Sequence, residues 1–552
     1  MHRALNIPDI VQLIVNEMDY SGPSPDAPTL AALVLTCRAF HEPALDVLWS
    51  RQVGLGHLVE CLPEDLWAMF QDNTLIVLVT SSMYKANAIV QNPPEILVLS
   101  EPTRPTTPQD WERFDFYASR IRELRCAGHS DSKQASRALS ADLYRWLLAS
   151  RPTHQLLPRL SSLIWKTSIF GTGLDCTPFL SSPQLSSVSI DMYGNGIPTT
   201  SHAILPALLR LSPDLQELRL WMREDWSTHP ISRAFFGSFK KLRIIEMKSA
   251  MSSIFDLLTG LSTLPDLTKM NILISDYYVP DQRAQQRTAP RVVFRSLEEL
   301  KLRSSFTPDT HEILRACHFP QLQCINLMYT TPWDESLSAL DDFFCLISQC
   351  CSHSVLEMIE IVAREDWVDE DAEVQSVTAG AVLKPLIGFH RLCSFHLSAD
   401  MRIVLDDGAV RDMAVAWPRL KCLALVNNHL SSAPPAAMTL KGLAYLARYC
   451  PLLETLAINV DTSSITAPPP SNGHCNRVLQ SINAVRSPAS GDPAAIGAFL
   501  HAIFPNFKRI NASDETTPED ELVDGSWRAV EAVIEALKLQ SASQQDDFVQ
   551  KS

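Results

Sequence analysis

Residues 417–430 read Trp-Pro-Arg-Leu-Lys-Cys-Leu-Ala-Leu-Val-Asn-Asn-His-Leu, which sets Leu420, Leu423, Leu425, Asn428 and Leu430 at the spacing Leu-x-x-Leu-x-Leu-x-x-Asn-x-Leu. The middle of such a unit is one short strand. Side chains alternate across a strand, so Leu423 and Leu425 point into the body while Ala424 and Val426 point away. A single unit of this kind cannot bury its apolar edge, and it requires neighbours of the same kind stacked on either side.

Those neighbours are present in degenerate form. Ile121, Leu160, Leu185, Leu215, Leu242, Leu267, Leu297, Leu322, Leu356, Leu392, Leu420, Leu453, Leu479 and Phe507 each have apolar or small residues three and five positions later. The spacing therefore predicts fourteen strands. From Leu160 to Leu322 successive starts lie 25, 30, 27, 25, 30 and 25 residues apart, and later gaps are irregular, running up to 36. Proline stands two residues before the first apolar position at Pro158, Pro183, Pro213, Pro265, Pro320, Pro418, Pro451 and Pro505. Lacking an amide donor and holding its predecessor extended, proline stops a helix where a strand must begin. Helices are predicted before these strands at Ser201–Leu211, Ser253–Leu261, Thr307–Cys317, Leu337–Cys350, Thr439–Tyr449 and Pro493–Ile503, each with apolar residues three and four apart.

The alternation resembles that of leucine-rich-repeat proteins, whose period is about 20–29 residues. The resemblance implies an α/β fold in which parallel strands line the inside of a curved solenoid and helices the outside. The asparagine of the pattern is absent from most units, where Tyr193, Ala250, Ser275 or Ser305 takes its place.

Composition removes other classes. At 552 residues the chain exceeds a usual single core, and its 46% apolar content supports a large interior. No apolar run is long enough to cross a bilayer, and the start Met-His-Arg, followed by Pro8, Asp9 and Glu17, does not resemble a secretory signal. The expectation is an intracellular protein of the cytoplasm or nucleus. Thirteen scattered cysteines without a Cys-x-x-Cys pair argue against a disulfide framework or zinc module. A formal charge of −15 gives no support to nucleic-acid or anionic-membrane binding, which leaves protein partners.

The first fifty residues read differently. Asn6 can cap a helix with Pro8 and Asp9 in its first turn and Ile10, Leu13, Ile14 and Met18 at helical spacing. Gly22, Pro23, Pro25 and Pro28 interrupt it. Thr29 can cap a second helix bearing Leu30, Leu33, Val34, Cys37 and Phe40, and Glu42 and Pro43 begin a third with Ala44, Leu45, Leu48 and Trp49. Ile-Pro-Asp-Ile, Leu-Ala-Ala-Leu-Val-Leu-Thr-Cys-Arg-Ala-Phe and Ala-Leu-Asp-Val-Leu-Trp together resemble an F-box, with a proline-rich insert at 21–28 that departs from the family pattern. The resemblance implies docking on the Skp-type linker of a cullin ubiquitin ligase, with Pro8, Ile10, Leu13, Ile14, Leu33 and Val34 as partner contacts. The alternative is a helical cap for the repeats. This opening, with the ending Phe-Pro-Asn-Phe-Lys-Arg-Ile, looks most like the leucine-rich F-box proteins of mushroom-forming fungi, the basidiomycete type.

The resulting organisation is an F-box-like helical module at 1–50, a helical or irregular linker at 51–117 packed on the first repeats, and a repeat solenoid at 118–515. A closing helix follows at 516–540, centred on Trp527 to Leu539, and a disordered tail at 541–552. On the solenoid, alternation sends to the concave side Ser189 and Asp191, Arg219 and Trp221, Glu246 and Lys248, Asn271, Lys301 and Arg303, Asn326 and Met328, Glu360, His396, and Asn459. Arg219, Trp221, Glu246, Lys248, Lys301 and Arg303 mix aromatic, basic and acidic groups, the types enriched where protein partners are recognised. They are the candidate target contacts.

Long insertions offer a second surface: 275–292 with Tyr277, Tyr278, Pro280, Arg283, Arg287 and Arg291, and the acidic run 364–373 around Trp367. The run Ala-Pro-Pro-Pro-Ser-Asn-Gly-His at 467–474 reads as an irregular excursion. No His-Glu-x-x-His, Gly-x-Ser-x-Gly, Gly-x-Gly-x-x-Gly or P-loop occurs, and Cys345, Cys350, Cys351 and His353 read as packing rather than metal ligation. The expected function is therefore non-catalytic and without cofactor: a substrate-recognition adaptor of an SCF-type cullin ligase, or a repeat scaffold for protein interactions without ligase association.

Overall fold

Extended chain segments need partners for their backbone N–H and C=O groups, and a series of short strands returning through helices supplies them by stacking in parallel. The computed structural model describes residues 7–18, 27–71, 95–99, 104–126, 138–139, 141–151, 155–166, 176–192, 198–222, 233–250, 254–275, 291–304, 307–329, 337–363, 376–378, 382–399, 402–427, 436–463, 475–484, 487–511 and 518–549. It divides into two units, Met1–Lys248 and Ser249–Ser552.

The first unit opens with helices α1 Pro8–Asn16, α2 Ala27–Thr36 and α3 Arg38–Ser50. Among the described residues its ladder strands are β1 Arg51–Val53, β2 Glu123–Cys126, β3 Ser162–Lys166, β4 Ser187–Met192, β5 Glu217–Met222 and β6 Ile244–Ala250. Each pairs in parallel with the next. Helix α4, Pro108–Ala118, precedes β2, while α5 Ala141–Ser150 and α6 Pro198–Leu211 precede β3 and β5.

In the second unit β7 Lys269–Ser275, β8 Glu299–Ser304, β9 Cys324–Tyr329, β10 Met358–Ala363, β11 Ser394–Ala399, β12 Cys422–Asn427, β13 Thr455–Ala457, β14 Ser481–Asn483 and β15 Arg509–Asn511 pair in that order, again in parallel. Its helices are α7 Ile254–Leu261, α8 Thr307–Ala316, α9 Leu337–Cys350, α10 Asp407–Ala416, α11 Leu440–Tyr449, α12 Pro493–Ile503 and α13 Pro518–Val549. The fold is a leucine-rich-repeat-like α/β solenoid. Each of the fourteen predicted starts, Ile121 to Phe507, leads into a ladder strand.

Register follows from the leucine pattern, because a one-residue slip would turn every buried side chain to solvent. In the first unit Leu124, Leu163, Val188, Leu218 and Ile245 form one buried row across the strands. In the second the row is Met270, Leu300, Ile325, Ile359, Phe395, Leu423, Leu456, Ile482 and Ile510. A recurring hydrogen bond holds this register at the strand entrance. One carbonyl accepts two successive amides of the next repeat: Ser186 O takes Gln216 N at 2.8 Å and Glu217 N at 3.0 Å, and Glu298 O takes Gln323 N and Cys324 N at the same distances.

At four of the eight strand-entry prolines, the side chain of the preceding residue ties repeats together. Ser182 Oγ donates to Leu160 O at 2.8 Å, Ser212 Oγ to Leu180 O at 2.7 Å, and Trp417 Nε1 to Leu386 O at 3.3 Å. The Cys450 thiol lies 3.6 Å from Trp417 O. Proline disfavours helical backbone at this residue, which is extended at Ser182 and has ψ of 64° and 71° at Trp417 and Cys450, and its side chain reaches a carbonyl of the preceding repeat. Trp417 also packs on Phe395, which meets Phe344 of α9, so helix and strand share one aromatic core.

Several boundaries differ from expectation. The ladder begins at Arg51 rather than near 118, because α3 runs without a break into β1. The segment expected as linker contributes the strands Trp67–Gln71 and Glu95–Leu99, which pair antiparallel, and Glu95–Leu99 also pairs with Ala138–Leu139. Its apolar residues Leu55, Leu58, Val59 and Leu62 are buried. The second helix starts at Ala27, since Pro28 fits a first turn, and the third starts at Arg38 with Pro43 inside it. The closing helix continues to Val549, as no proline or glycine after Gly525 stops it. The insert 21–26, Tyr277, Tyr278, Pro280, Arg283 and Arg287, the run 364–373, Asn428, Leu430 and 467–474 lie outside the described residues.

Candidate functional site

The N-terminal helices build their own core from Val11, Val15, Leu30, Phe40 and Ala44. Ile14, Leu33 and Val34, expected as partner contacts, pack against that core and are half-buried, as Ile10 is. Pro8 is exposed at the start of α1, where its missing N–H costs nothing. Leu13 is 63% exposed, on the side of α1 away from Val11 and Val15. Two further apolar residues escaped the sequence reading: Ile7 at 47% and Leu35 at 85% exposure. The signal for Leu35 was its position off the Leu30, Leu33, Val34 stripe, where helical periodicity calls for a polar residue.

This module is fixed to the first repeats. Trp49 of α3 stacks on Tyr117 of α4 with ring centroids 4.2 Å apart. Arg120, after α4, ion-pairs with Glu42 at 2.5 Å and with Asp46, and its guanidinium lies over Phe116. Arg104 forks onto both Asp110 oxygens, at 2.7 and 2.9 Å, beside the Thr107–Asp110 capping box of α4. That hydrogen bond, with the Thr107 amide, holds the Asp110 carboxyl well below the usual carboxylate range.

On the open face of the first unit, Arg219 and Glu246 stand opposite each other in register. Arg219 lies 3.3 Å from Glu217 and 3.5 Å from Glu246, so its charge is neutralised in place. Trp221 and Lys248 are half-buried on the same side.

On the open face of the second unit, Asn271, Lys301, Asn326, Glu360 and His396 form one in-register row across β7 to β11, continued by Ala424 and Ala457. Asn326 Nδ2 donates to Glu360 Oε2, and His396 Nδ1 lies 3.5 Å from Glu360 Oε1. Lys269 pairs with Glu299 at 2.7 Å. Lys301 and Arg303 have no acidic partner among the described residues, and Arg303 Nε, Asn271 Oδ1 and Asn326 Oδ1 are covered without a hydrogen-bond partner. Burial, with Glu299 and Glu360 nearby, pushes the Cys324 thiol on this face up to about 11. The six expected target contacts thus fall into two groups: Arg219, Trp221, Glu246 and Lys248 in the first unit, and Lys301 and Arg303 in the second.

Cys350 and Cys351 are buried with sulfurs 3.6 Å apart, while His353 is exposed and bonds Ser348. Among the described residues no group of three or more His, Cys, Asp or Glu side chains is placed to hold a metal ion. No helix among them is long and apolar enough to cross a membrane.

No protein-family profile matches the sequence, and no curated protein matches it. Similar solved structures include the leucine-rich repeat-containing protein LegL7 of Legionella pneumophila, at 13% identity and TM-score 0.31, covering 57% of this chain and 93% of that one. A leucine-rich-repeat protein of Leptospira interrogans matches at 13% identity and TM-score 0.27, covering 65% and 91%. A third match is to the Drosophila Toll–Spatzle complex, at 10% identity and TM-score 0.24, covering 77% of this chain and 70% of that one.

Proposed function

We propose that the chain is a protein-interaction scaffold, and more specifically a substrate-recognition adaptor: the N-terminal helices dock on the Skp-type linker of a cullin ubiquitin ligase, and the open face of the ladder holds a target. The observation that carries the docking half is the exposure of Leu13 and Leu35, at 63% and 85%, on helices whose core is already filled by other residues. Apolar side chains left over on two helices suit a helix-in-groove partner. The stacking of Trp49 on Tyr117 and the pairing of Arg120 with Glu42 and Asp46 support a fixed separation between docking module and first repeats. An adaptor needs that separation, because it accelerates transfer by holding a target near a separate catalytic subunit.

The polar row Asn271, Lys301, Asn326, Glu360 and His396 supports target binding by the face, since recognition there needs directional groups on a rigid support. The test is co-expression of the full chain with a Skp-type linker. Co-elution is expected for the unaltered chain and loss of it for Leu13→Asp with Leu35→Asp, at unchanged melting temperature. Absence of co-elution, or co-elution unaffected by both substitutions, refutes ligase docking and leaves the scaffold without ligase association.

A further inference from the structure

The open face of the second unit treats its charges unequally. Glu299 is engaged by Lys269 at 2.7 Å, and Glu360 by Asn326 and His396. Among the described residues Lys301 and Arg303, on β8, have no carboxylate partner, in a chain whose formal charge is −15. In the first unit the corresponding cation, Arg219, is held between Glu217 and Glu246. An unpaired cation pair on an otherwise compensated face is a local feature that bulk charge does not explain.

We propose that Lys301 and Arg303, flanked by Asn271 and Asn326, form a docking site for an extended acidic segment of a protein partner, one carrying carboxylates at alternate positions. The assignment rests on the scaffold reading and names the chemistry of its target. Lys301 and Arg303 stand two residues apart on one strand, so their Cα atoms are about 6.6–6.8 Å apart. An extended segment lying along β8 repeats its own side chains at that spacing, and Asp or Glu at positions i and i+2 meets both cations. Asn271 and Asn326 lie on the flanking strands, about 4.8 Å to either side. Their unpaired Oδ1 atoms, covered in the free chain, accept main-chain N–H groups of the segment once the amides turn toward it. Polyanions such as nucleic acid fit poorly, because among the described residues of this face two free cations lie among acidic groups and the chain as a whole is negative.

The test uses the full chain and a fluorescein-labelled peptide with Glu at three alternate positions in a Ser/Thr/Val background, followed by anisotropy. Expected is saturable binding that weakens with added salt. It should weaken about tenfold or more for the isosteric Gln peptide and for Lys301→Gln with Arg303→Gln, whose melting is checked against the unaltered chain. Equal binding of Glu and Gln peptides, or full binding by the double variant, overturns the proposal. So does binding of a phosphoserine peptide where the Glu peptide fails. A photo-crosslinking residue at Met358, exposed on the same face, separates the two levels of inference. Crosslinks to cellular proteins without acidic-peptide binding refute this proposal and keep the scaffold reading, whereas neither signal refutes both.

Discussion

Asn476 is fully buried, and its side chain makes four hydrogen bonds. Nδ2 donates to Cys450 O at 2.9 Å and Leu453 O at 3.1 Å, while Oδ1 accepts from Val478 N at 2.7 Å and Leu479 N at 2.9 Å. Its own amide donates to Ile503 O at 2.8 Å. The residue therefore joins the entrance of β13 to that of β14. Replacement by Ala keeps the main-chain bond and strands two carbonyls and two amides in a dry site. A net contribution of about 1 kcal/mol per bond, against about 1–3 kcal/mol for each group left unpaired, gives a loss of about 3–5 kcal/mol after partial collapse of the site. Asn476→Asp should also destabilise, because it turns a donor into an anion facing two carbonyls. Repeat arrays need not unfold in one step, so the assay is native-state hydrogen exchange rather than a single melting curve. At about 1.4 kcal/mol per decade, the Val478 and Leu479 amides should exchange roughly a hundredfold or more faster in Asn476→Ala. A change below tenfold would refute the role assigned to this side chain.

Asp407 accepts from Thr439 N at 2.8 Å, Thr439 Oγ1 at 2.7 Å and Gly442 N at 3.0 Å, so one carboxylate of α10 caps the start of α11; Asp407→Ala should cost about 1–3 kcal/mol, read as faster amide exchange in the first turn of α11, and unchanged exchange there would reject the cap. The Arg104 hydrogen bond, with the Thr107 amide, depresses the Asp110 pKa in the folded state, so the stabilisation is complete above the unfolded pKa near 4 and is lost as pH falls through the folded value. Melting temperature should therefore drop below about pH 4, and less steeply in Asp110→Asn; parallel profiles would count against the linkage. Burial pushes the Cys450 thiol up to about 12 and the Cys324 thiol up to about 11, so both should resist iodoacetamide at pH 8 in the native chain and react on unfolding, and rapid native labelling by mass spectrometry would contradict their environments.

The strand series was legible because its signal is local: leucine at fixed spacing, often with proline two residues earlier, is one repeat's own business. What crosses between repeats was not. Arg219 reads in sequence as a free cation, yet Glu246 lies opposite it only through the pairing of β5 with β6. Asn476 carried no mark, since the expected asparagine belongs after the strand, as in Asn428, whereas this one sits before it. The early start at Arg51 was hidden because Arg-Gln-Val lacks leucine. On the helices, periodicity placed Leu30 on the apolar stripe of the second helix, where it is buried, but it assigned Phe40 to that helix although it lies in α3, and it did not distinguish Ile14, which packs inward, from Leu13, which does not.

The drift of the asparagine and the persistence of the proline have one physical explanation. A strand entrance needs an end to the helix from each repeat, and at some repeats it also carries a side-chain donor toward the carbonyls of the preceding repeat. Proline supplies the first and keeps its predecessor out of the helical region, from which a polar side chain there can supply the second. Any donor of suitable reach then serves, and Ser182, Ser212 and Trp417 do so with different chemistry. This part of the cross-repeat bonding lies at the edge of the ladder and does not involve the residues on its open face. Those residues are free to vary from Ala424 and Ala457, which are bland, to Lys301 and Asn326, which are not. A scaffold built this way separates stability from recognition at the level of single positions. Substitutions at Lys301 and Arg303 should accordingly alter what the face binds while leaving the Ser182, Ser212, Trp417 and Asn476 bonds, and the fold they hold, in place.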